Sequence, residues 1–230
     1  MKRKDSSTHS LKPVITPYYP VYLDLTGKKA VVVGGGKVAE RKILSLLKAG
    51  ADIKVISPYI TKRLEREKMK GKIRHASRNY KKGDLKNAFL VIAATNSLRI
   101  NEQVSHDAPF LVNVVDMPDL CNFIVPSLVQ RGPLKVAIST SGSSPAFSRS
   151  VRKEIEKFYG PEFSHFLKSL RTIRKKALRE IREKKKRTKF LKSIASEKII
   201  EMLRVNGLKK TKKFIKRTRS QEAVEKLSSK

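Results

Sequence analysis

The chain has 230 residues, no tryptophan and few aromatic residues, so its core must consist mainly of aliphatic side chains. Its 53 Lys and Arg against 20 Asp and Glu give a formal charge of +33, which predicts an anionic partner: nucleic acid, acidic lipid or a polycarboxylate substrate. No apolar run approaches the roughly 20 residues of a membrane span. The single cysteine, Cys121, excludes an internal disulfide framework. We therefore expect no membrane partner and a cytoplasmic location.

The stretch from Lys28 to Gly50 predicts a strand, a tight turn and a helix. Ala30–Val33 has the β-branched, apolar character of a strand buried on both faces. Gly34 permits the tight turn, Gly36 lets the backbone approach a pyrophosphate, and Ala39 allows close packing of helix on strand. Free N–H groups at the start of the helix would hold the phosphates. The pattern therefore predicts a dinucleotide site, against the alternative of a glycine turn that binds no phosphate.

The second strand, over residues 53–56, is followed by Ser57 and not by the acid that often binds ribose in such folds. Ser57 or backbone groups could take that role. Lys62 and Arg63 could favour a 2′-phosphate or simply lie on a solvated helix face. These residues alone leave the choice between NAD and NADP open.

Two later strands end in polar residues. The strand over residues 89–94 ends at Thr95 and Asn96, and the carboxyl edge of an open α/β sheet is where ligands bind. The strand over residues 110–115 is followed by Asp116. Asp116 is interpreted either as a turn residue or as a general acid or base at the mouth of the dinucleotide site.

The pattern changes after Asp116. Apolar runs over residues 123–129 and 134–139 predict a β-hairpin. The loop over residues 139–144 then either caps the next helix or binds a substrate carboxylate through its hydroxyl and N–H groups. Three helices are predicted over residues 145–158, 161–186 and 188–205. Residues 206–230 show little apolar periodicity and predict a fraying basic tail, whose removal after Val205 should be harmless.

Metal ligation and nucleic-acid binding receive little support. The four histidines, His9, His75, His106 and His165, have no metal-ligand spacing, so no metal site is predicted. Cys121 is interpreted as a small buried hydrophobic residue. The basic helices are interpreted as solvated faces, because nucleic-acid binders often add aromatic residues that stack on bases and few occur here.

Several motifs in order resemble one known family. They are Pro20–Leu25, Val31–Lys42, Ala93–Asn96, Val112–Asp116, the Pro118-x-x-Cys121-x-Phe123-x-x-Pro126 spacing, Arg131–Leu134 and Ala137–Pro145. Together they resemble the precorrin-2 dehydrogenases of sirohaem synthesis over roughly residues 18–160. The resemblance implies NAD-dependent oxidation of precorrin-2 to sirohydrochlorin by a homodimer whose hairpin strands cross between subunits. In some members the same site also inserts Fe²⁺.

The resemblance also implies an α/β architecture of three parts, with a Rossmann-type dinucleotide-binding domain, a strand-rich dimerisation segment and a small helical C-terminal domain. We place a flexible leader at 1–17, the NAD-binding domain at 18–113, the dimerisation segment at 114–145, the helical domain at 146–205 and the basic tail at 206–230.

The expected site residues follow from the motifs and the resemblance together. The family's acid falls on Asp116. The expected cofactor contacts are Gly34, Gly35, Gly36, Lys37, Val38, Ser57, Pro58, Tyr59, Thr95 and Asn96. The expected substrate contacts are Asn113, Ser139, Thr140, Ser141, Gly142 and Ser143; some members carry a phosphorylated serine in this last loop, where Thr140 is the nearest match. The alternatives are a basic nucleic-acid-binding protein or an NAD(H)-binding redox sensor on the same fold.

Overall fold

The computed structural model describes residues 18–224, with side chains as far as Arg217. The expected leader over 1–17 and the last residues of the expected tail, 225–230, lie outside the described residues. The chain forms two compact units that divide between Val125 and Pro126. The expected domain boundaries stay a prediction.

The first unit is built on a parallel sheet of five strands. They are β1 (Lys29–Val33), β2 (Asp52–Ile56), β3 (Ile73–Ala76), β4 (Leu90–Ala93) and β5 (Leu111–Val114), in the order β3-β2-β1-β4-β5. Every neighbouring pair is parallel. From β1 the chain adds β2 and β3 on one side of the sheet, and it then returns to add β4 and β5 on the other side of β1. The change of direction between β1 and β4 is the topological switch point, where such sheets bind ligands. The Rossmann-type α/β prediction is confirmed.

Three helices cover this sheet: α1 (Lys37–Lys48), α2 (Lys62–Met69) and α3 (Leu98–Asp107). The centre of β1 is buried on both faces, as its apolar run predicts. Val32 packs with Ile43 of α1 in one apolar cluster, and Val31 packs with Val104 of α3 in another. The described residues before β1, from 18 to 28, form no strand, although Leu25 is buried in the first cluster.

The second unit opens with an antiparallel hairpin of β6 (Ser127–Arg131) and β7 (Leu134–Ile138), followed by α4 (Pro145–Phe158). This confirms the predicted hairpin and the predicted first helix. The hairpin begins later than expected because Phe123 packs instead against the apolar cluster of the first unit. Ser144 caps α4 by accepting a hydrogen bond from the N–H of Phe147 at 3.1 Å.

The remaining helices are α5 (Glu162–Glu180), α6 (Lys184–Ser193) and α7 (Glu197–Val224). The prediction of one helix over 161–186 is wrong. The chain breaks at Ile181, whose backbone is extended and whose side chain packs into the helical core. The Ile181 carbonyl accepts a hydrogen bond from Arg187 at 3.1 Å. The basic run at 184–187 therefore begins a helix where we expected one to end.

The interpretation of residues 206–230 as lacking an apolar face is also wrong for the part that the structure describes. Gly207, with φ +71°, breaks α7 into two helical segments, and the hydroxyl of Thr211 donates to its carbonyl at 2.8 Å. Thr211 and Ile215 are 0% and 4% exposed. This segment therefore belongs to the helical core. Among the described residues, no helix is both long enough and apolar enough to cross a membrane.

Candidate functional site

The turn between β1 and α1 has two crowded glycines. Gly34 has a φ of +116°, and a Cβ there would overlap the carbonyl oxygen of Ala94. A Cβ on Gly35 would overlap the carbonyl oxygen of Tyr59 and lie 2.9 Å from the Ser57 hydroxyl oxygen. Both positions therefore require glycine because neighbouring loops pack directly against the turn.

Gly36 differs from both, because no described atom lies within 4 Å of an ideal Cβ at that position. Its φ of −77° is accessible to any residue. A glycine is therefore not needed here for folding. The open space is what close approach of a cofactor's pyrophosphate to the backbone would require.

The N-terminus of α1 adds donors to this open side. Gly36 is its N-cap, and no side chain among the described residues caps the helix. By contrast, Thr61, Ser97 and Ser144 cap α2, α3 and α4 with their hydroxyls. The first N–H groups of a helix have no partner within it, and they carry the positive end of the helix dipole. The exposed Lys37 and Val38 begin this helix, so the turn suits the phosphates of a dinucleotide.

The loop after β2 is fastened to the glycine turn. The N–H of Gly34 donates to Ile56 at 2.9 Å, and the N–H of Thr61 donates to Gly35 at 3.2 Å. The Thr61 hydroxyl also donates to Glu40 of α1 at 2.5 Å. Ser57, Pro58 and Tyr59 are thereby held beside the turn, with the Tyr59 ring 86% exposed. The structure therefore brings these predicted cofactor residues to one edge.

Thr95 and Asn96 follow β4 at the other side of the switch point. The Thr95 hydroxyl donates to the Asn101 side-chain oxygen at 2.7 Å, and the Asn101 amide returns a bond to the Thr95 carbonyl at 3.1 Å. Asn101 is 5% exposed, whereas Asn96 is exposed. The Thr95 side chain is thus committed to shaping the loop. Sequence analysis missed Asn101, although an amide at a helical position that faces the core was a usable signal.

Asp116 lies in the turn that follows β5. It is exposed and has a φ of +60°, a left-handed conformation that side chains other than glycine, Asn and Asp rarely adopt. The turn is braced by Cys121, whose sulfur accepts from the N–H of Val114 at 3.1 Å and lies 3.3 Å from the Met117 carbonyl oxygen. The carboxylate is thus presented to solvent at the same carboxyl edge of the sheet as the glycine turn.

Lys42 is a residue of this edge that sequence analysis did not single out. It is half-buried on α1, and burial lowers the pKa of its ammonium, with Arg41 adding to the effect. Cys121 and Asp116 act on that pKa in the opposite direction by electrostatic attraction. An ammonium group therefore lies near the turn that carries Asp116. A lysine within the apolar face of a predicted helix was the available signal.

Asn113, expected to contact substrate, is buried in β5. Its side-chain amide donates to the carbonyl of Phe123 at 3.1 Å and lies 3.5 Å from the Cys121 sulfur. The amide therefore ties β5 to the segment that follows it. Its expected contact with substrate stays a prediction.

The remaining predicted substrate residues lie in the loop between β7 and α4. The Thr140 hydroxyl accepts from the N–H of Ser144 at 3.1 Å and lies 3.1 Å from the hydroxyl oxygen of the buried Ser148. Ser141 has a φ of +51°, and its N–H donates to the Ser139 hydroxyl at 3.0 Å. Exposed positions in the loop are Ser139, Gly142 and Ser143. The loop thus offers hydroxyls to solvent while Thr140 anchors it.

No group of three His, Cys, Asp or Glu residues among those described could hold a metal ion. His75 faces the loop after β2, with Nε2 2.8 Å from the Ser57 carbonyl oxygen.

Comparisons with known proteins agree with this geometry. Residues 21–127 match a family described as NAD(P)-binding, and residues 131–157 match the central part of sirohaem biosynthesis proteins. The sirohaem synthase of Nitrosococcus oceani is 44% identical over 142 residues, which are 60% of this chain and 30% of that protein. The sirohaem synthase of Thioalkalivibrio sulfidiphilus is 36% identical over 188 residues, 80% of this chain and 38% of that protein.

The chain thus spans about a third of the length of these relatives. A solved structure of SirC, a precorrin-2 dehydrogenase, superposes with a TM-score of 0.74 at 27% identity. That match covers 87% of this chain and 100% of the dehydrogenase chain.

Proposed function

We propose that this chain, which belongs to the precorrin-2 dehydrogenase and sirohydrochlorin ferrochelatase family, oxidises precorrin-2 to sirohydrochlorin with NAD⁺ as hydride acceptor. The observation that carries the proposal is the pairing of an open Gly36 turn with a structural match that covers all of a precorrin-2 dehydrogenase chain. A cytoplasmic location stays a prediction.

The cofactor residues proposed from the sequence gather at the carboxyl edge of the sheet. Gly34 and Gly35 shape the turn, Gly36 leaves room for the pyrophosphate, and the N–H groups of Lys37 and Val38 face the phosphates. On the ribose side, the exposed Tyr59 and the Ser57–Pro58 backbone take the place of the usual acid. The segment from Ser57 to Tyr59 has no carboxylate that would repel a 2′-phosphate. The proposed preference for NAD⁺ over NADP⁺ therefore comes from the resemblance to the family and not from these residues.

The reaction removes a hydride from carbon and a proton from the ring system of precorrin-2, giving sirohydrochlorin, NADH and H⁺. NAD⁺ supplies a two-electron acceptor for the hydride. The proton needs a base, and the exposed Asp116 carboxylate at the sheet edge is the proposed one. Lys42 of α1 attracts Asp116 electrostatically, which places a cation close to the proposed base.

Substrate recognition is proposed to use the positive charge of the chain. Precorrin-2 carries carboxylates around its ring, and a net charge of +33 attracts them over long range. The exposed Ser139, Gly142 and Ser143 offer hydroxyl and N–H donors to a carboxylate. Asn113 would act by fixing β5 against Phe123, and Thr140 by anchoring the loop.

Two further properties are proposed from the family. Insertion of Fe²⁺, with the metal as substrate, would also require loss of ring protons, for which Asp116 is again the proposed base. The homodimer is proposed from the resemblance, in which hairpin strands, here β6 and β7, cross between subunits. Leu128 on β6 is 42% exposed and would be covered by the partner subunit.

The decisive experiment is anaerobic incubation of the protein with precorrin-2 and NAD⁺, with and without Fe²⁺, followed by visible spectra and NADH absorbance. We expect NADH and sirohydrochlorin to form together. Binding of NAD⁺ without any NADH formation would contradict the enzyme and favour an NAD(H) sensor.

A pair of glycine variants tests the cofactor site in the same assay. Gly36→Val places a side chain in open space, so we expect an unchanged Tm with loss of NAD⁺ binding by calorimetry. Gly35→Ala is the control, because its Cβ would overlap the Tyr59 carbonyl and should lower the Tm. If Gly36→Val binds NAD⁺ like the wild type, the cofactor site lies elsewhere.

A further inference from the structure

The three C-terminal helices carry a charge that enters the dehydrogenase proposal only as part of the long-range attraction, since none of their residues is assigned a contact there. Residues 161–224 contain 22 Lys and Arg against six Asp and Glu, a net charge of +16. Two of those acids are ion-paired locally, Glu180 with Lys176 at 3.6 Å and Glu183 with Lys186 at 2.7 Å. Six carboxylates cannot neutralise 22 cations, so this surface is strongly positive.

The basic side chains of these helices lie on their outer faces. Of the basic residues from Lys168 to Arg217, all are exposed except the half-buried Arg187 and Lys212. The core beneath them is made of Phe163, Phe166 and Phe190 with aliphatic side chains. A ligand can therefore reach these cations, although Lys198 and Arg204 also lie over the rings of Phe214 and Phe158.

One groove concentrates this charge. Arg174 of α5 and Lys192 of α6 line a groove of about 450 Å³ together with Thr188, Leu191 and Ala195. Four more exposed cations lie close by on these helices. Arg171 is one turn from Arg174 on α5, and Lys175 is one turn from Arg171. On α6, Lys189 is one turn and Lys185 two turns from Lys192. We call these four residues, together with Arg174 and Lys192, the basic face.

We propose that the basic face binds double-stranded nucleic acid through its phosphate backbone. Arg and Lys with a threonine hydroxyl are the groups that contact phosphate and sugar without reading bases. Interfaces with nucleic acid are polar and positively charged, which matches this surface. Binding should be independent of the base sequence, because contacts to the phosphate backbone carry no sequence information.

Other occupants fit the surface less well. A protein partner needs an apolar centre within a polar rim, yet among the described residues of α5 to α7 the exposed large apolar side chains are Leu178 and Val205. Because exposed apolar side chains are scarce, this surface also has little to insert into a membrane. Single strands bind by stacking on aromatic rings, and Phe190 of α6 is buried. The scarcity of aromatic residues thus argues against single strands but not against a duplex.

The test measures binding of fluorescent 20-base-pair DNA and RNA duplexes by anisotropy from 50 to 200 mM salt. With about six phosphate contacts, affinity should fall roughly a thousandfold over that range. The dissociation constants for DNA and RNA should agree within about threefold, since the protein contacts the phosphates and not the bases. A tenfold preference, or no binding at 50 mM salt with about 100 µM protein, overturns the proposal.

Matched variants locate the site. Arg174→Gln with Lys192→Gln should lower affinity more than tenfold and reduce the salt slope by about two. Arg66→Gln with Lys82→Gln removes the same charge from exposed positions of the first unit and should have little effect. Equal losses in both double variants would mean diffuse attraction and overturn the assignment. Arg171→Gln with Lys189→Gln repeats the test if the first pair lowers the Tm.

Two competitors and one activity control complete the experiment. Polyglutamate and vesicles of anionic phospholipid, matched in charge to the duplex, should compete at least tenfold less well; equal competition by either overturns the choice of occupant. NADH formation with precorrin-2 should be unchanged in Arg174→Gln with Lys192→Gln. If the dehydrogenase proposal failed, the duplex-binding result could still be interpreted, because the anisotropy measurement does not depend on turnover.

Discussion

The two compact units use charge and apolar surface in different ways. Residues 18–125 hold 19 basic and ten acidic residues, whereas residues 126–224 hold 28 and eight. In the first unit an acid such as Asp84 is nearly buried and pairs with Arg78 at 2.7 Å and Lys54 at 3.3 Å. In the second unit, most cations face solvent, and the core beneath them combines three phenylalanines with aliphatic side chains.

This difference indicates a division of labour. The first unit places its proposed reactive groups at the edge of a rigid aliphatic sheet, where backbone geometry rather than net charge holds them. The second unit tolerates a dense basic surface because its stability comes from the packing beneath. Substitutions of the proposed reactive groups at the sheet edge should therefore lower turnover, whereas substitutions in the helical core or on the basic face should lower stability or partner binding.

The sharpest test of this division is Asp116→Asn. Asn is nearly isosteric and tolerates the left-handed φ of +60°, so the turn should fold unchanged. Loss of the proposed base should lower turnover at least about a hundredfold, since general-base contributions are typically 10²–10⁴-fold. Anaerobic NADH formation and the Tm are measured together.

Asp119→Asn, two positions beyond Met117, is the matched control and should keep turnover. If Asp116→Asn instead lowers the Tm and turns over near the wild-type rate, the carboxylate only shapes the turn. The proposed reaction would then need another base, and Asp119 and His165 would be examined next.

The opposite behaviour is expected of Ile215→Ala in the second unit. Ile215 is 4% exposed in the helical core, and a buried Ile→Ala change costs about 2–5 kcal/mol. Val205→Ala on the same helix is the control, because Val205 is 74% exposed and should change stability by less than about 0.5 kcal/mol. Urea unfolding measures both, and NAD⁺ affinity should not change.

If Ile215→Ala leaves the unfolding free energy unchanged, the segment after Gly207 does not contribute to the core. Truncation after Val205 would then be harmless, as sequence analysis expected. The structure leads us to expect the reverse, because truncation would remove both Thr211 and Ile215 from the core.

The same contrast explains what the sequence could and could not predict. Continuous β-branched runs and a glycine turn predict the sheet, because apolar runs of about four residues bounded by glycine are too short for a buried helix. The caps Thr61 and Ser144 were also predictable from local chemistry. In the helical unit, Leu208, Thr211 and Ile215 do recur at helical spacing, but Gly207 and the surrounding cations interrupt the pattern.

The candidate site shows a similar limit. The glycines and Asp116 stand in recognisable order along the chain. The apolar faces of their helices signal that Asn101 and Lys42 turn inward, but their partners, Thr95 and the turn at Asp116, follow only from how the helices pack on the sheet. Likewise, the crowding at Gly34 and Gly35 comes from Ala94 and Tyr59, which are distant along the chain.

A smaller effect is expected for Asp84→Asn in the first unit. Asp84 accepts two hydrogen bonds from Arg78 at 2.7 Å, and these hold the pKa of its carboxyl well below the ordinary 3.8. The loss should be about 2 kcal/mol at neutral pH, as for hydrogen bonds to charged groups. Because the pKa is lowered in the folded state, this stabilisation is present above the ordinary value and lost as pH falls through the lowered one.

The difference in Tm between wild type and Asp84→Asn should therefore be constant from about pH 5 to 7 and shrink below about pH 4. Asp52→Asn is the control, because its pair with Arg74 is about half exposed on both sides and exposed pairs contribute little. A pH-independent difference for Asp84→Asn would show that packing, not the charge, stabilises this loop.

The smallest effect is expected for Lys42→Met, which keeps the aliphatic stem and removes the ammonium. Burial, followed by Arg41, lowers the pKa of Lys42 below 10.5, so the folded state binds this proton less readily than the unfolded state does. Protonated Lys42 therefore destabilises the fold, and Lys42→Met should be as stable as wild type or more stable at pH 7, by less than about 1 kcal/mol. As pH rises through the lowered pKa toward 10.5, the free energy of unfolding of the wild type should rise relative to that of the variant.

Exposed Lys48→Met on the same helix is the control and should show no such gain. Chemical unfolding at pH 7 and pH 10 measures all three proteins. If Lys42→Met is markedly less stable at pH 7, attraction to Asp116 and Cys121 outweighs burial. The sheet edge would then depend on a charge pair for its stability, and stability and turnover would no longer be separable in the first unit.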